Sequence, residues 1–381
     1  MIYIKNAKIV LEDGILSNGV IVVEKDRIVA VGRETDVCVS DEAKIIDANG
    51  SYVGPGFVDI HVHGGGGAFF AEDPETATAH FLAHGETTIL PTFYTTMDKN
   101  AFVSGTERVQ SLMKKGGLGG AIAGFYMEGP YLNPKYGASA ALNQWVGEIK
   151  ESDYKEVVDK AGKDVKVWVI APEREGIEDF MSYAKKVNPN VRFSVGHSEA
   201  TPKEVERVKK YGVCLLTHCT NATNSKSALW GTRGCGPDEA CFLDDEMYAE
   251  MICDSLGIHV NPDMQRLIIK IKGWDKLVLI SDGFVSDYES KESLRYVADL
   301  SFDENGDLSG SKLTLDVACR NLIKHTGCSI VQAFAAASKN PAKAVGLENE
   351  VGTIEKSKKA NLVFVDDEFN VQKVLLNGEF V

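Results

Sequence analysis

The chain has 381 residues, of which 44% are hydrophobic and 25% are charged, and its formal net charge at pH 7 is −14. These proportions are ordinary for a globular protein, and the length allows one large domain and a smaller one. The negative charge argues against nucleic acid or an anionic membrane as the main partner, since both attract basic surfaces. The sequence shows neither a secretory signal pattern nor an apolar run long enough to cross a membrane, so we expect a cytoplasmic protein.

Both ends of the chain carry short strand-like runs separated by turn residues. The runs fill the first 52 residues, and the pattern resumes at 351–354 and continues to the last residue. Neither end has enough strands to form a stable sheet alone. We therefore predict that residues 1–52 and 347–381 join in one small β-sandwich domain, with residues 53–346 inserted between them.

The middle of the chain alternates apolar strand-like runs with helical stretches, which is typical of βα units. An open doubly wound sheet would suit the same pattern, but no glycine-rich nucleotide-binding motif follows the first strand. Eight such units favour a (β/α)8 TIM-like barrel, whose active site lies at the carboxyl ends of the strands. The predicted strands are residues 57–63, 87–93, 122–128, 165–171, 191–197, 213–218, 247–254 and 277–282.

The first predicted barrel strand ends in His61 and His63 and is followed by a run of glycines. Residues two apart on a strand face the same way, so both imidazoles project towards the same side. A pair of histidines on a strand face without any metal would show the same spacing. The glycine run lets a ligand approach the backbone closely, which favours a metal site.

Polar residues also end four other predicted strands: Glu128, His197, His218 and Asp282 end the third, fifth, sixth and eighth. The strand ends of a barrel converge on one mouth, so these side chains would meet there. Ionisable groups in such a place are costly unless they are paired or bind a metal. Nitrogen and oxygen ligands without thiolate suit zinc, iron or another divalent first-row ion. The sequence therefore predicts a metal centre in the barrel mouth.

Several motifs resemble the amidohydrolase superfamily and, within it, the branch of N-acetylglucosamine-6-phosphate deacetylases. The Glu-Gly-Pro run at 128–130 and the His-x-x-Asn-Ala run at 218–222 are specific to this branch, and the resemblance covers essentially the whole chain. Related branches place a carboxylated lysine where this branch has a glutamate ligand. Here no lysine ends the third predicted strand.

The resemblance implies one or two divalent ions, zinc, iron or a similar metal, and a catalytic acid and base. The principal ion would be held by Glu128, His197 and His218, and a second ion by the first-strand histidines. Asp282 would be the acid and base. The full set of implied metal ligands is His61, His63, Glu128, His197 and His218.

The implied reaction is hydrolysis of the acetamide of N-acetylglucosamine 6-phosphate to glucosamine 6-phosphate and acetate. The sugar phosphate would be contacted by Asn221, the Ala222 backbone, Arg233 and His259. In one arrangement of a homodimer, the arginine or the histidine comes from the partner subunit. Ser139 stands where the branch has a histidine that contacts substrate, and serine is too short to make that contact directly.

Two alternatives stay open at this point. The first keeps the chemistry and changes the substrate to an isomeric N-acetylhexosamine phosphate, such as N-acetylgalactosamine 6-phosphate, or to another N-acyl amide. Ser139 motivates it, as do two segments that depart from the pattern of the branch, the one that holds Arg233 and the one that precedes His259. The second is a non-catalytic barrel used for binding, which predicts loss of metal ligands or of the acid and base, whereas all of them are present.

Overall fold

The N-terminal strands are rich in β-branched residues and form a sheet with its own small core. The computed structural model describes residues 1–37, 43–226, 232–289 and 297–381. Buried side chains of these strands, such as Ile9 and Ile21, pack together in that core. The strands from this end are β1 (Ile2–Val10), β2 (Ile15–Glu24), β3 (Arg27–Arg33), β4 (Lys44–Asp47) and β5 (Tyr52–Pro55).

The barrel sheet is parallel, and its eight strands in the described residues neighbour one another in chain order. This order is the one that consecutive right-handed βα units produce. The strands are β6 (Phe57–Val62), β9 (Glu86–Tyr94), β10 (Phe125–Glu128), β11 (Val165–Ile170), β12 (Arg192–Val195), β13 (Val213–Leu216), β14 (Tyr248–Ile252) and β15 (Leu277–Ile280), and after β6 come the hairpin strands β7 (Gly64–Gly65) and β8 (Ala68–Phe69).

The barrel closes between β6 and the residues that follow β15. Asp282 N donates to His61 O at 2.9 Å, and His63 N donates to Gly283 O at 2.8 Å. Val62 and Gly283 form a parallel bridge at the same place. The prediction of an α/β fold with a (β/α)8 barrel is therefore confirmed, and the closing hydrogen bonds lie at the predicted metal centre.

Strand β6 has a bulge where the histidines begin. Its pairing with β9 shifts register between Asp59 and Val62. Val58 and Ile60 belong to a core cluster shared with other barrel strands, whereas Val62 packs with the helix-covered core. A bulge places two successive residues on one face. Ile60 faces the barrel interior, and regular alternation would turn His61 and His63 outward. The bulge in β6 instead allows both histidines to face the mouth.

Each barrel strand is followed by a helix, and polar caps begin several of these helices. Asp73 and Asp98 accept backbone N–H groups at the first two, and Thr201 forms a capping box with Glu204 at the fifth. The helices are α1 (Pro74–Ala83), α2 (Lys99–Lys115), α3 (Glu151–Ala161), α4 (Ile177–Val187), α5 (Pro202–Val208), α6 (Pro237–Leu243), α7 (Pro262–Lys272) and α8 (Leu315–Thr326).

The connection from β15 to α8 includes a hairpin above the barrel mouth, β16 (Leu300–Phe302) and β17 (Leu308–Ser311). Its turn is stabilised by Asp303, whose Oδ1 accepts Asn305 N and Asp307 N, both at 2.9 Å. Phe284 N donates to Ser311 O at 2.8 Å, which ties the hairpin to the end of β15.

The C-terminal strands complete the sheet that the N-terminal strands begin. After α9 (Ile330–Phe334) and α10 (Asn340–Val345) come β18 (Leu362–Val365), β19 (Val371–Leu376) and β20 (Glu379–Phe380). β18 pairs antiparallel with β5, so the strands of both chain ends share one hydrogen-bonded sheet. The domain boundaries predicted at residues 52 and 346 stay a prediction.

The predicted strand at 351–354 is wrong, because this segment has no strand pairing. Gly352 has φ +93°, outside the β region, and its Cα packs against α10, where an added Cβ would lie 2.8 Å from Ala342 Cβ. Val351 is buried against barrel residues and Ile354 in the core of the terminal sheet, in both cases by side-chain packing rather than by a strand ladder. Among the described residues, no helix is long and apolar enough to cross a membrane.

Candidate active site

Three of the predicted site residues follow their strands in a left-handed backbone conformation. φ is +45° at His197, +29° at His218 and +48° at Asp282. Each stands two residues beyond the end of its strand, β12, β13 or β15. Positive φ is unfavourable for residues other than glycine and is found disproportionately at functional sites. The turn ends each strand and places the side chain in the barrel mouth, where all three line the same cavity.

Glu128 lies between two pairs of imidazoles. Its Oε1 is 2.7 Å from His197 Nε2 and 3.0 Å from His218 Nε2. Its Oε2 is 3.2 Å from His63 Nε2 and 3.6 Å from His61 Nε2. All five side chains are buried, and they form two possible metal-binding groups that share Glu128. The structure thus brings together every side chain that the sequence proposed as a metal ligand.

Asp282 lies on the side of the two first-strand histidines. Its Oδ1 is 3.3 Å from His63 Nε2 and 3.5 Å from His61 Nε2. Burial opposes ionisation of this carboxyl, but the charges of His61 and His63 outweigh that effect and lower its pKa to about 2. Asp282 is therefore ionised at neutral pH and can accept a proton.

The carboxylates and imidazoles of the site stabilise each other's charged forms. Burial alone would raise the pKa of Glu128, but the charges of His61 and His197 lower it well below its usual range. Burial would likewise lower the pKa of His61, and the charges of Glu128 and Asp282 raise it instead. Protons and a divalent cation would compete for the same nitrogen and oxygen atoms, so metal binding here would release protons.

The residues fit a divalent metal on their geometry as well as their type. His197 Nε2 and His218 Nε2 are 3.0 Å apart and both face Glu128 Oε1. His61 Nε2 is buried without a hydrogen-bond partner among the described atoms. A buried nitrogen atom without a partner is costly, and a cation near the shared carboxylate would satisfy His61 Nε2 and separate the close nitrogens of His197 and His218. The group can therefore hold one or two ions.

The site opens into a cavity of about 560 Å³ with one apolar wall and one acidic wall. This volume is in the range of small-molecule sites. Tyr94 and Phe284 form the apolar wall, each with its ring edge-on to His63. The acidic wall is the β16–β17 turn, which contributes Asp303, Glu304 and Asp307. Among the described residues that line the cavity, none is a lysine or an arginine.

Ser139 lines the cavity and contacts the acidic wall. Its Oγ donates to Glu304 Oε2 at 3.1 Å, across 165 positions of sequence. Its backbone is left-handed, with φ +50°. The position where the family resemblance expects a histidine thus holds a serine paired with a carboxylate from the opposite side of the mouth.

The other predicted substrate ligands fall into two groups. Asn221, Ala222 and His259 line the cavity, and Asn221 Nδ2 is buried without a partner among the described atoms. His259 is already engaged, because its Nδ1 is 3.2 Å from Asp254 Oδ2 and its Nε2 is 3.1 Å from Gly310 O. Arg233 lies outside the cavity lining, with a side chain 79% exposed and paired with Glu239. The substrate roles of these residues stay a prediction.

Sequence reasoning missed two residues that shape this site, Glu250 and Glu304. Glu250 stands inside the apolar run of β14 and contacts His61. A glutamate within a buried strand is a signal that could have identified it, since such a charge needs a partner. Glu304 lies in an ordinary polar turn, and the sequence carries no comparable signal for it.

The comparisons with known proteins agree with this geometry. A model of the Amidohydrolase family matches residues 52–381. An N-acetylgalactosamine-6-phosphate deacetylase of Escherichia coli O157:H7 is 27% identical over 337 residues, which cover 85% of this chain and 86% of that protein. A crystal structure of N-acetylglucosamine-6-phosphate deacetylase from Pasteurella multocida is 26% identical, covers 100% of this chain and 99% of its own, and superposes with a TM-score of 0.86.

A further solved structure contains a ligand. It is a mutant N-acetyl-D-glucosamine-6-phosphate deacetylase from Mycobacterium smegmatis in complex with N-acetyl-D-glucosamine-6-phosphate, 27% identical and with a TM-score of 0.84. It covers 100% of this chain and 98% of its own. The family match spans the whole barrel and the C-terminal strands. From that match, and with the buried histidine and carboxylate group at the barrel mouth, we conclude that this chain belongs to the amidohydrolase family.

Proposed function

We propose that this chain is a metal-dependent deacetylase that hydrolyses the acetamide of N-acetylglucosamine 6-phosphate to glucosamine 6-phosphate and acetate. The observation that carries the proposal is Glu128 between two imidazole pairs, with Asp282 beside them at the base of a cavity. Solved structures of enzymes with this name share the fold along the entire chain, and one of them holds this sugar phosphate.

The proposed metal ligands divide according to the two oxygens of Glu128. One ion would be held by Glu128, His197 and His218, and a second by Glu128, His61 and His63. Imidazole and carboxylate donors suit zinc or iron. When bound, such an ion lowers the pKa of water to about 7 and polarises the acetamide carbonyl.

Asp282 moves the protons in the proposed reaction. Its Oδ1 accepts a proton from the attacking water as the bond between the water oxygen and the carbonyl carbon forms. The same oxygen then donates that proton to the amide nitrogen, so that the carbon–nitrogen bond breaks and the amine leaves in its neutral form. Tyr94 and Phe284 form an apolar wall beside His63, next to the place of this step.

The proposed phosphate contacts lie on the side of Asn221 and Ala222. Asn221 Nδ2 is a buried donor without a partner among the described atoms, and a phosphate or hydroxyl oxygen would satisfy it. Arg233 is largely exposed and does not line its own cavity, which leaves it accessible to the cavity of a neighbouring subunit. We therefore infer a homodimer. The cytoplasmic location also stays a prediction.

A second candidate substrate is N-acetylgalactosamine 6-phosphate. The observation that favours it is the Ser139–Glu304 pair, which replaces the expected histidine with a hydrogen-bond acceptor for sugar hydroxyls. The two sugars differ in the orientation of a hydroxyl. A curated relative with that activity name is as similar to this chain as the N-acetylglucosamine 6-phosphate enzymes.

An acetate-release assay tests the proposal. Metal-loaded protein should release acetate from N-acetylglucosamine 6-phosphate, with N-acetylgalactosamine 6-phosphate and unphosphorylated N-acetylglucosamine as comparisons. Removal of the metal by a chelator should abolish the activity, and adding zinc or iron back should restore it, because the proposed reaction needs the ion to activate water and to polarise the carbonyl. Metal-loaded protein that releases acetate from none of these sugars would contradict the proposal.

A further inference from the structure

Glu250 is a fully buried carboxylate in strand β14, directly below the candidate metal centre. Its Oε2 lies 3.2 Å from His61 Nδ1 and accepts the backbone N–H of His218 at 3.3 Å. Its Oε1 accepts the hydroxyl of Tyr126 at 2.8 Å. Both oxygens of this buried carboxyl group therefore have hydrogen-bonding partners in the barrel interior.

The contacts of Glu250 belong to a polar network inside the barrel. Tyr126 Oη is 2.9 Å from Thr217 Oγ1, which is 2.6 Å from Ser194 Oγ. The ring of Tyr126 also stacks on the ring of His61, with centroids 4.6 Å apart. His61 is thus held through one ring face and one ring nitrogen, and its orientation is determined before any ion binds.

The carboxylate determines which nitrogen of His61 can bind a metal. Because Nδ1 faces an acceptor, the neutral ring carries its proton there, and the lone pair of Nε2 is then directed at the space between Glu128 Oε2 and Asp282 Oδ1. His197 and His218 differ, since their Nδ1 atoms face the backbone carbonyls of Tyr136 and Asn221. A carboxylate makes its imidazole a stronger ligand than a neutral carbonyl does.

We propose that Glu250 is a positioning residue that sets the affinity of the cation position formed by His61, His63 and Glu128. The position formed by Glu128, His197 and His218 depends on it much less, because the Glu250 carboxyl group contacts the backbone N–H of His218 and neither imidazole of that group. The inference rests on the proposed metal dependence. It deepens that proposal by making the affinity of one of the two cation positions depend on Glu250.

Cobalt titration of the metal-free protein tests this proposal. The wild type should bind two equivalents of Co²⁺. Glu250→Gln should weaken one binding step by about 10- to 100-fold and leave the other unchanged. His61→Ala should abolish the same step, which identifies it. Glu86→Gln is the matched control, since Glu86 is also a fully buried glutamate of a barrel strand but caps Leu315 N and contacts none of the proposed ligands.

Nitrogen-15 NMR of the metal-free wild type gives a readout that needs no variant. The proposal expects the His61 imidazole, in its neutral form, to carry its proton on Nδ1. Observation of the neutral Nε2–H tautomer would overturn it, as would a wild type that binds a single equivalent of Co²⁺. Unchanged affinities in Glu250→Gln, or equal weakening of both steps, would also overturn it. A protein that passes these tests but releases no acetate would instead refute the proposed function alone.

Discussion

Asp282 is held in the site through its backbone as well as its carboxylate. Its N–H donates to His61 O at 2.9 Å, and its carbonyl accepts Ser311 N at 2.8 Å. An isosteric amide can therefore occupy the same place without disturbing the neighbouring strands. The carboxylate oxygen that faces His63 is the atom proposed to accept and return the proton.

Asp282→Asn should lower kcat by about 10²- to 10⁴-fold, because an amide cannot take the proton from the attacking water. The metal content should stay close to that of the wild type. Acetate release and elemental analysis of the same preparation would measure both quantities. Turnover within about tenfold of the wild type would remove Asp282 from the proposed acid and base role.

The pair of Ser139 and Glu304 is the feature with which we expect this chain to select its sugar. A hydrogen bond to a charged group contributes about 1.5–3 kcal/mol, which corresponds to roughly a tenfold or greater effect on specificity. Glu304→Ala should therefore change the ratio of kcat/KM for N-acetylglucosamine 6-phosphate and its galactosamine isomer by about tenfold or more. Ser139→Ala keeps the carboxylate and should change this ratio less.

Glu368→Ala serves as the surface control, since this residue lies in the turn between β18 and β19, away from the cavity. It should leave the ratio of kcat/KM unchanged. If Glu304→Ala lowers kcat/KM equally for both sugars, Glu304 does not discriminate between them and only supports the cavity wall.

The loop between β14 and α7 shows how one buried carboxylate orders a whole connection. Asp254 Oδ1 accepts Ile258 N at 2.8 Å, and Oδ2 accepts His259 N at 2.8 Å. Burial raises the pKa of this carboxyl, but the hydrogen bonds from the His259 ring and from these backbone groups outweigh it and lower the pKa to about 2. The loop thus depends on the ionised form of Asp254.

A lowered pKa in the folded state makes this stabilisation depend on pH. It is fully present above the ordinary aspartate value of 3.8 and is lost as the pH falls through about 2. The difference corresponds to about 2 kcal/mol. Asp254→Asn should therefore reduce the free energy of unfolding at pH 7, and the difference from the wild type should shrink between pH 4 and pH 2. Urea unfolding at several pH values would measure it, and a difference independent of pH would contradict the assignment.

At the scale of the whole molecule, the terminal sheet packs on the barrel through an aromatic cluster. The Phe334 ring lies 5.6 Å from that of Phe57 in the barrel and 5.1 Å from that of Phe369. Phe369 follows β18, and it shares a core cluster with Phe57 and Phe334. Gly54 of β5 leaves room for the ring of Phe334, because a Cβ at position 54 would lie 2.1 Å from Phe334 Cε1.

Gly54→Ala should destabilise the protein by about 1–3 kcal/mol through overpacking. Gly14→Ala is the matched control, since a Cβ at Gly14 meets no atom within 4 Å. Because the core is continuous across the two sheets, both variants should unfold in one transition. Calorimetry would measure this. A separate early transition in Gly54→Ala would show that the terminal sheet unfolds independently of the barrel.

The regular parts of this molecule followed from local patterns in the sequence. Apolar runs at βα spacing predicted all eight barrel strands in the right order, because burial on both faces demands such runs. The same patterns failed at 351–354, where Val351 packs on the barrel and Ile354 in the terminal-sheet core, and neither is in a paired strand. Period and composition alone do not distinguish these two ways of burying a side chain.

The sequence by itself determined the number and order of the barrel strands and the residue types at their ends, since these depend on alternation and on the chemistry of each side chain. Only the tertiary structure decided how Glu128 divides its oxygens between two histidine pairs, which carboxylate faces His61, and that Ser139 meets Glu304. Each of these contacts joins residues more than 60 positions apart. Their distances depend on barrel closure, the bulge in β6 and the left-handed turns after the strands, which no local pattern encodes.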